Sequence, residues 1–134
     1  MEQLPSDVRV RILMKARNDW PDDFEMQKHT IDSQTEAFHE LNRRRILLGD
    51  TESVLAVFAF AAANWPDDYE MELHTVNSQI ASVREFFAYK NPSIPDEVLQ
   101  QIRLKAFGEW PDDHDMKLHV LKNQVEAWLA INSL

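Results

Sequence analysis

The stretch NWPDDYEMELH, residues 64–74, decides the fold of this chain because it occurs in three versions. DWPDDFEMQKH begins at Asp19 and EWPDDHDMKLH begins at Glu109, so the central tryptophans are separated by 45 residues each time. Eight positions are identical in all three copies: Ala16/Ala61/Ala106, the Trp-Pro-Asp-Asp run, Met26/Met71/Met116, His29/His74/His119 and Gln34/Gln79/Gln124. This constant period predicts a single domain, residues 1–134, made of three tandem repeats: 1–45, 46–90 and 91–134.

Each repeat is predicted to contain two helices. The chain has two glycines and no cysteine, a composition that favours helix and excludes a disulfide framework. A residue before proline is disfavoured in the helical region, so the first helix of each repeat should end near its tryptophan. A period of this length is typical of two-helix solenoid units. The sequence therefore predicts an all-α fold of about six helices, stacked as a short α-solenoid.

The Trp-Pro-Asp-Asp runs, called here the first, second and third corners, are predicted to join the two helices of each repeat. We expect N-caps on the first helices at Ser6, Thr51 and Asp96. On the second helices we expect N-caps at Asp22, Asp67 and Asp112, with capping boxes completed by Glu25, Glu70 and Asp115. These second helices should end near Asn42, Ala88 and Asn132. Trp20, Trp65 and Trp110 are accordingly interpreted as structural residues.

A repeated glutamine lies in the middle of the apolar arc of each second helix, at Gln34, Gln79 and Gln124. A buried amide without hydrogen bonds costs about 1–3 kcal/mol. We therefore expect this side chain to bind backbone at a nearby corner and to act as a structural residue.

The first repeat differs from the others in one stripe of its second helix. It carries Lys28 and Thr35, where the later repeats carry Leu73 and Ile80 or Leu118 and Val125. This difference is expected if the stripe faces a preceding repeat, since the first repeat has none. Repeat one is therefore predicted to be a solvated end of the array.

The candidate partner-binding residues are the carboxylates around the three corners. They are Asp19, Asp22, Asp23, Glu25, Asp67, Asp68, Glu70, Glu109, Asp112, Asp113 and Asp115. Aligned corners would form an acidic edge, and the formal net charge of −9 disfavours nucleic acid and favours a basic protein segment or cations. The alternative interpretation is a solvated capping edge that binds no partner.

Two further motifs have structural alternatives. The acid–histidine pairs Glu25/His29, Glu70/His74 and Asp115/His119 are spaced for one helix face, which suits either a divalent cation or an ordinary surface pair. The run Arg43–Arg45 suits an anion or nucleic acid, and it equally suits the negative end of its own helix.

The sequence therefore predicts a non-enzymatic helical-repeat module for protein binding or scaffolding, which contacts a basic partner through its acidic edge. No nucleophile or glycine-rich phosphate loop is present to support catalysis, and we expect no cofactor and no metal. One alternative is a metal-dependent protein or enzyme that uses the repeated Asp, Glu and His groups. Another is a small acidic inhibitor or nucleic-acid mimic. The partner is expected to be a protein, with no nucleic acid and no membrane, and the chain to be a cytoplasmic monomer or weak homo-oligomer.

Overall fold

The computed structural model describes residues 3–134, and these form six α-helices and no strand. The helices are α1 (Ser6–Asp19), α2 (Phe24–Leu48), α3 (Glu52–Asn64), α4 (Tyr69–Ala88), α5 (Asp96–Glu109) and α6 (His114–Asn132). The all-α prediction and the predicted number of helices are confirmed. None of these helices is both long enough and apolar enough to cross a membrane.

The chain divides into two compact units, residues 1–76 and 77–134, with the boundary inside α4. In the first unit α1 packs on α2, and the buried apolar residues include Val8, Ile12, Leu41 and Val76. In the second unit α5 packs on α6. Its core is one cluster of buried residues: Phe86, Ile94, Leu99, Ile102, Ala106, Leu121 and Val125.

The first helix of each repeat ends at its tryptophan, as predicted from the following proline. Trp20, Trp65 and Trp110 share one backbone conformation, with φ of −135°, −134° and −133° and ψ of 65°, 64° and 70°. The N–H of each tryptophan donates to the carbonyl of the invariant alanine four residues earlier, and that alanine is fully buried. The indole rings are 38–39% exposed in all three corners, so the middle corner covers its tryptophan no better than the others do.

The N-caps of the second helices are the later aspartates of the corners, so the prediction of Asp22, Asp67 and Asp112 is wrong. Asp23, Asp68 and Asp113 accept hydrogen bonds from the N–H groups of Met26, Met71 and Met116, at 3.0, 3.1 and 3.2 Å.

The one-residue difference arises from the turn itself. Asp23 N–H donates to the carbonyl of Trp20 and Asp68 N–H to that of Trp65, which makes Trp-Pro-Asp-Asp a β-turn with proline at its favoured second position. The turn uses the first aspartate, and the helix starts after the second. The residue three positions after each capping aspartate is a methionine. The capping boxes predicted with Glu25, Glu70 and Asp115 therefore do not form.

The other helix ends agree with the predictions only in part. Thr51 caps α3 as expected, whereas α1 and α5 follow Pro5 and Pro95 and have no side-chain cap, so Ser6 and Asp96 are not N-caps. The second helices of repeats two and three end at Ala88 and Asn132 as predicted. The first continues to Leu48, six residues past the expected end, because arginine and leucine are good helix formers. It stops at Gly49, whose φ of 87° suits glycine.

We expect replacement of Asp23 by Ala to lower the free energy of unfolding by about 1 kcal/mol, because it removes the N-cap of α2. The matched change Asp22→Ala should stay within about 0.5 kcal/mol, since Asp22 is exposed and lies in the turn. Urea denaturation of both variants measures the difference. A larger loss for Asp22→Ala would contradict this assignment of the cap.

Candidate functional site

The repeated glutamine of the first repeat holds the second corner within the first unit. Gln34 is 2% exposed; its Oε1 accepts from the backbone N–H of Tyr69 at 2.7 Å, and its Nε2 donates to Asp68 Oδ1 at 2.9 Å. Lys15 Nζ lies 3.8 Å from the other oxygen of the same carboxylate. The Phe38 ring meets the Tyr69 ring edge to face, with centroids 5.3 Å apart. One side-chain amide thus donates to the capping carboxylate and accepts from the first N–H of α4.

The same arrangement occurs within residues 77–134. Gln79 is also 2% exposed; its Oε1 accepts from the backbone N–H of His114 at 2.6 Å and its Nε2 donates to Asp113 Oδ1 at 3.0 Å. Asp115 accepts hydrogen bonds from the hydroxyls of Ser78 and Ser82. The prediction that the repeated glutamine is buried and bound to a corner is confirmed for repeats one and two.

No Trp-Pro-Asp-Asp run follows Gln124 among residues 125–134. The side chain of Gln124 is half-buried and makes no hydrogen bond among residues 3–134. The predicted role of a structural fastener is therefore not realised at this position within the chain.

The eleven carboxylates predicted to bind a partner fall into two groups. Six have contacts within the chain: Asp19 with Lys15, Glu109 with Lys105, Asp115 with two serines, and the three capping aspartates. The other five are exposed: Asp22, Glu25, Asp67, Glu70 and Asp112. Among residues 3–134 this second group makes no side-chain hydrogen bond or ion pair, while Arg11 lies near Asp67 and Lys117 near Asp112.

A lysine that sequence reasoning missed is buried beside the third corner. Lys117 is 2% exposed, and its ammonium lies 4.2 Å from the centre of the Phe107 ring. Burial lowers the pKa of Lys117, and nearby Asp112 and Asp113 oppose that shift. No sequence signal distinguishes Lys117 from an exposed lysine, since the equivalent residues of the other repeats are Gln27 and Glu72.

His114 is adjacent to this lysine. Burial lowers the pKa of His114, and the positive charge of Lys117 lowers it further, while the neighbouring aspartates raise it. Lys117 Nζ is 3.2 Å from His114 Nδ1, and an ammonium can only donate, so the imidazole accepts at Nδ1 in its neutral form. The lowered pKa and the hydrogen bond both favour uncharged imidazole at neutral pH.

Glu72 is the counterpart of Lys117 in the second repeat, and it lines a cavity in the first unit. Burial raises the pKa of Glu72; the charge of Arg11 lowers it, and that of Asp68 raises it further. The cavity, of about 450 Å³, is lined by apolar residues including Phe38 and Leu55 and by the side chain of Arg45. A second cavity of about 600 Å³ shares Phe38 and Arg45.

The arginine run lies inside α2 and not after it. Arg43 and Arg44 form ion pairs with Glu40 on the same helix, at 2.8 and 3.7 Å, while Arg45 lines both cavities and sits in the last turn. Two of the three guanidinium groups therefore form ion pairs within their own helix, and only Arg45 lies at the negative helix end that the structural alternative predicts for the run.

The acid–histidine pairs are not assembled into a ligand set in the part of the chain that the structure describes. No group of three or more His, Asp or Glu side chains there is close enough to hold a metal ion. His119 has Asn123 as its near neighbour, with 3.0 Å between Nε2 and Nδ2, and Asp115 is bound by serines. The geometry does not favour the metal-dependent alternative.

No family model, curated protein or solved structure matches this chain.

We expect Gln79→Glu to destabilise the chain by about 1–3 kcal/mol, because the new carboxylate faces the Asp113 carboxylate and the donor is lost. The matched change Gln124→Glu should stay within about 0.5 kcal/mol, since this side chain has no corner to hold. Chemical denaturation of the two variants gives the comparison. Equal losses would show that the amide-to-corner hydrogen bonds contribute nothing specific.

The lowered pKa of His114 predicts that the free energy of unfolding depends on pH. Its folded pKa is below the unfolded value of about 6.5, so the unfolded chain takes up the proton more readily and acidification through that pH destabilises the fold. His114→Tyr, which installs the residue found at position 69, should therefore lose less stability than wild type between about pH 7.5 and 5.5. Denaturant titrations at the two pH values measure this, and identical losses for both proteins would contradict it.

Proposed function

We propose that this chain is a non-enzymatic helical-repeat module for protein binding or scaffolding, and that the exposed carboxylates of its corners contact a basic partner. The observation that carries this proposal is that the two aspartates of each corner have different roles. The second aspartate caps a helix, while Asp22, Asp67 and Asp112 are exposed. An exposed charge thus recurs at the same position of the same turn in each repeat.

The electrostatics of the corners support a basic partner. The capping carboxylates receive backbone N–H groups and, in two corners, a glutamine amide, so their charge is stabilised locally. The neighbouring exposed carboxylates add to a formal net charge of −9. Charges of one sign at a surface accelerate encounter with a partner of the opposite sign and improve selection among partners.

We further propose that the three repeats stack as a short α-solenoid, which would bring the corners into one acidic edge. The 45-residue period supports this arrangement. So does the repetition of one contact, in which the glutamine of a repeat binds the corner of the next, in each of the two units. Repetition of a single junction is the defining property of solenoid proteins.

The proposal is tested with the combined changes Asp22→Asn, Asp67→Asn and Asp112→Asn. All three capping aspartates remain, so the melting temperature should change little. Binding of a fluorescent oligolysine peptide, measured by anisotropy, should weaken and lose much of its salt dependence, because screening acts on exposed charges.

A matched control separates the corners from the net charge. Glu36→Gln, Glu97→Gln and Glu126→Gln also remove three negative charges from exposed positions, but away from the corners. This variant should bind the peptide nearly as well as wild type. Equal weakening in the two triple variants would mean that overall charge, and not the corners, determines the binding.

A further inference from the structure

The junction in the first unit is formed by three side chains on one side, and by the capping aspartate of the second corner and the first residue of α4 on the other. Gln34 binds the N–H of Tyr69 and the carboxylate of Asp68; Phe38 contacts the Tyr69 ring, and Lys15 approaches Asp68. Tyr69 itself is buried, with an exposure of 7%.

The third repeat carries the donor side of this junction, and residues 125–134 contain no further corner. A shift of 90 residues, two repeats, converts Gln34, Phe38 and Lys15 into Gln124, Trp128 and Lys105. Residue types are kept or, for the aromatic position, replaced by a larger ring. Trp128 is half-buried against the core cluster of its unit, and Lys105 pairs with Glu109 as Lys15 pairs with Asp19.

The first corner carries the acceptor side, and no glutamine binds it among the described residues. Asp23 and Phe24 are the equivalents of Asp68 and Tyr69, and both are exposed. The Phe24 side chain is 79% exposed, in contrast to its counterpart Tyr69. A large aromatic residue at the first position of α2 thus lies largely in solvent in a single copy.

We propose that copies of this chain associate head to tail, with Gln124, Trp128 and Lys105 of one copy contacting Asp23 and Phe24 of the next. The contact repeats the internal junction: the amide binds the cap and the first N–H of α2, the indole covers Phe24, and the ammonium approaches the Asp23 carboxylate. The two surfaces are different and complementary, so the interface is heterologous and produces chains or closed rings of copies.

The first repeat also limits the strength of this association. Lys28 is exposed and Thr35 is polar, where the later repeats carry Leu73 and Ile80 or Leu118 and Val125. The intermolecular contact therefore buries less apolar area than the internal ones, and we expect it to be weak and dependent on concentration.

The proposal makes a sharp prediction for single-end variants. Sedimentation velocity of the wild-type chain, up to about 1 mM, should show growth beyond a dimer, in the range of weak protein association. Phe24→Ser removes the acceptor ring, and Gln124→Glu places a carboxylate against the capping Asp23. Each variant alone should associate about tenfold more weakly than wild type or not at all, because every contact in the sample then lacks one side.

Mixing the two variants supplies the decisive measurement. The Phe24→Ser chain retains its end surface and the Gln124→Glu chain retains its start surface, so an equimolar mixture should form dimers and stop there. Leu47→Ser is the matched control: it also removes a large exposed apolar side chain, but one outside the junction, and its association should equal that of wild type. Three results would overturn the proposal: a monomeric wild-type chain at about 1 mM, a mixture without dimers, or equal weakening by Leu47→Ser.

Discussion

The structure depends on a single type of hydrogen-bonded contact, between a buried glutamine amide and the start of a helix in the following repeat. The first N–H groups of a helix have no partner within the helix, and a capping carboxylate satisfies only one of them. Gln34 and Gln79 accept a second such N–H and donate to the cap itself. Because the amide and the helix start are both removed from water, neither group can lose its partner without a cost of about 1–3 kcal/mol. The contact therefore fixes the position of each following corner.

Much of the fold could be predicted from the sequence because its main signals are periodic or local. The 45-residue repeat, the proline after each tryptophan and the scarcity of glycine indicate six helices and their approximate ends. The burial of Gln34 also follows from its place in an apolar arc. The identity of its partners could not be predicted, since residues 34 and 69 are related only by tertiary structure. The cap was displaced by one residue because two adjacent aspartates offer the same chemistry, and only the geometry of the turn distinguishes them.

The candidate site was predicted less completely than the fold. The sequence identifies eleven carboxylates near the corners, yet it does not separate the carboxylates with internal contacts from those that are exposed. Asp115 illustrates the difficulty: its place in the repeat matches the exposed Glu25 and Glu70, but Ser78 and Ser82 bind it. The neighbouring Lys117 is buried although lysine is rarely so. Such distinctions depend on which side chains the preceding repeat presents, and a charge count contains no information about them.

The three corners share one backbone and differ most at the residue after the cap, which is Phe24, Tyr69 or His114. This position is open to solvent in the first corner, buried in the second and half-buried in the third. The difference follows from the glutamine contact, since Gln34 and Gln79 hold the second and third corners and no such contact reaches the first corner among residues 3–134. The same corner sequence therefore forms an internal contact at the second and third corners and an uncovered surface at the first.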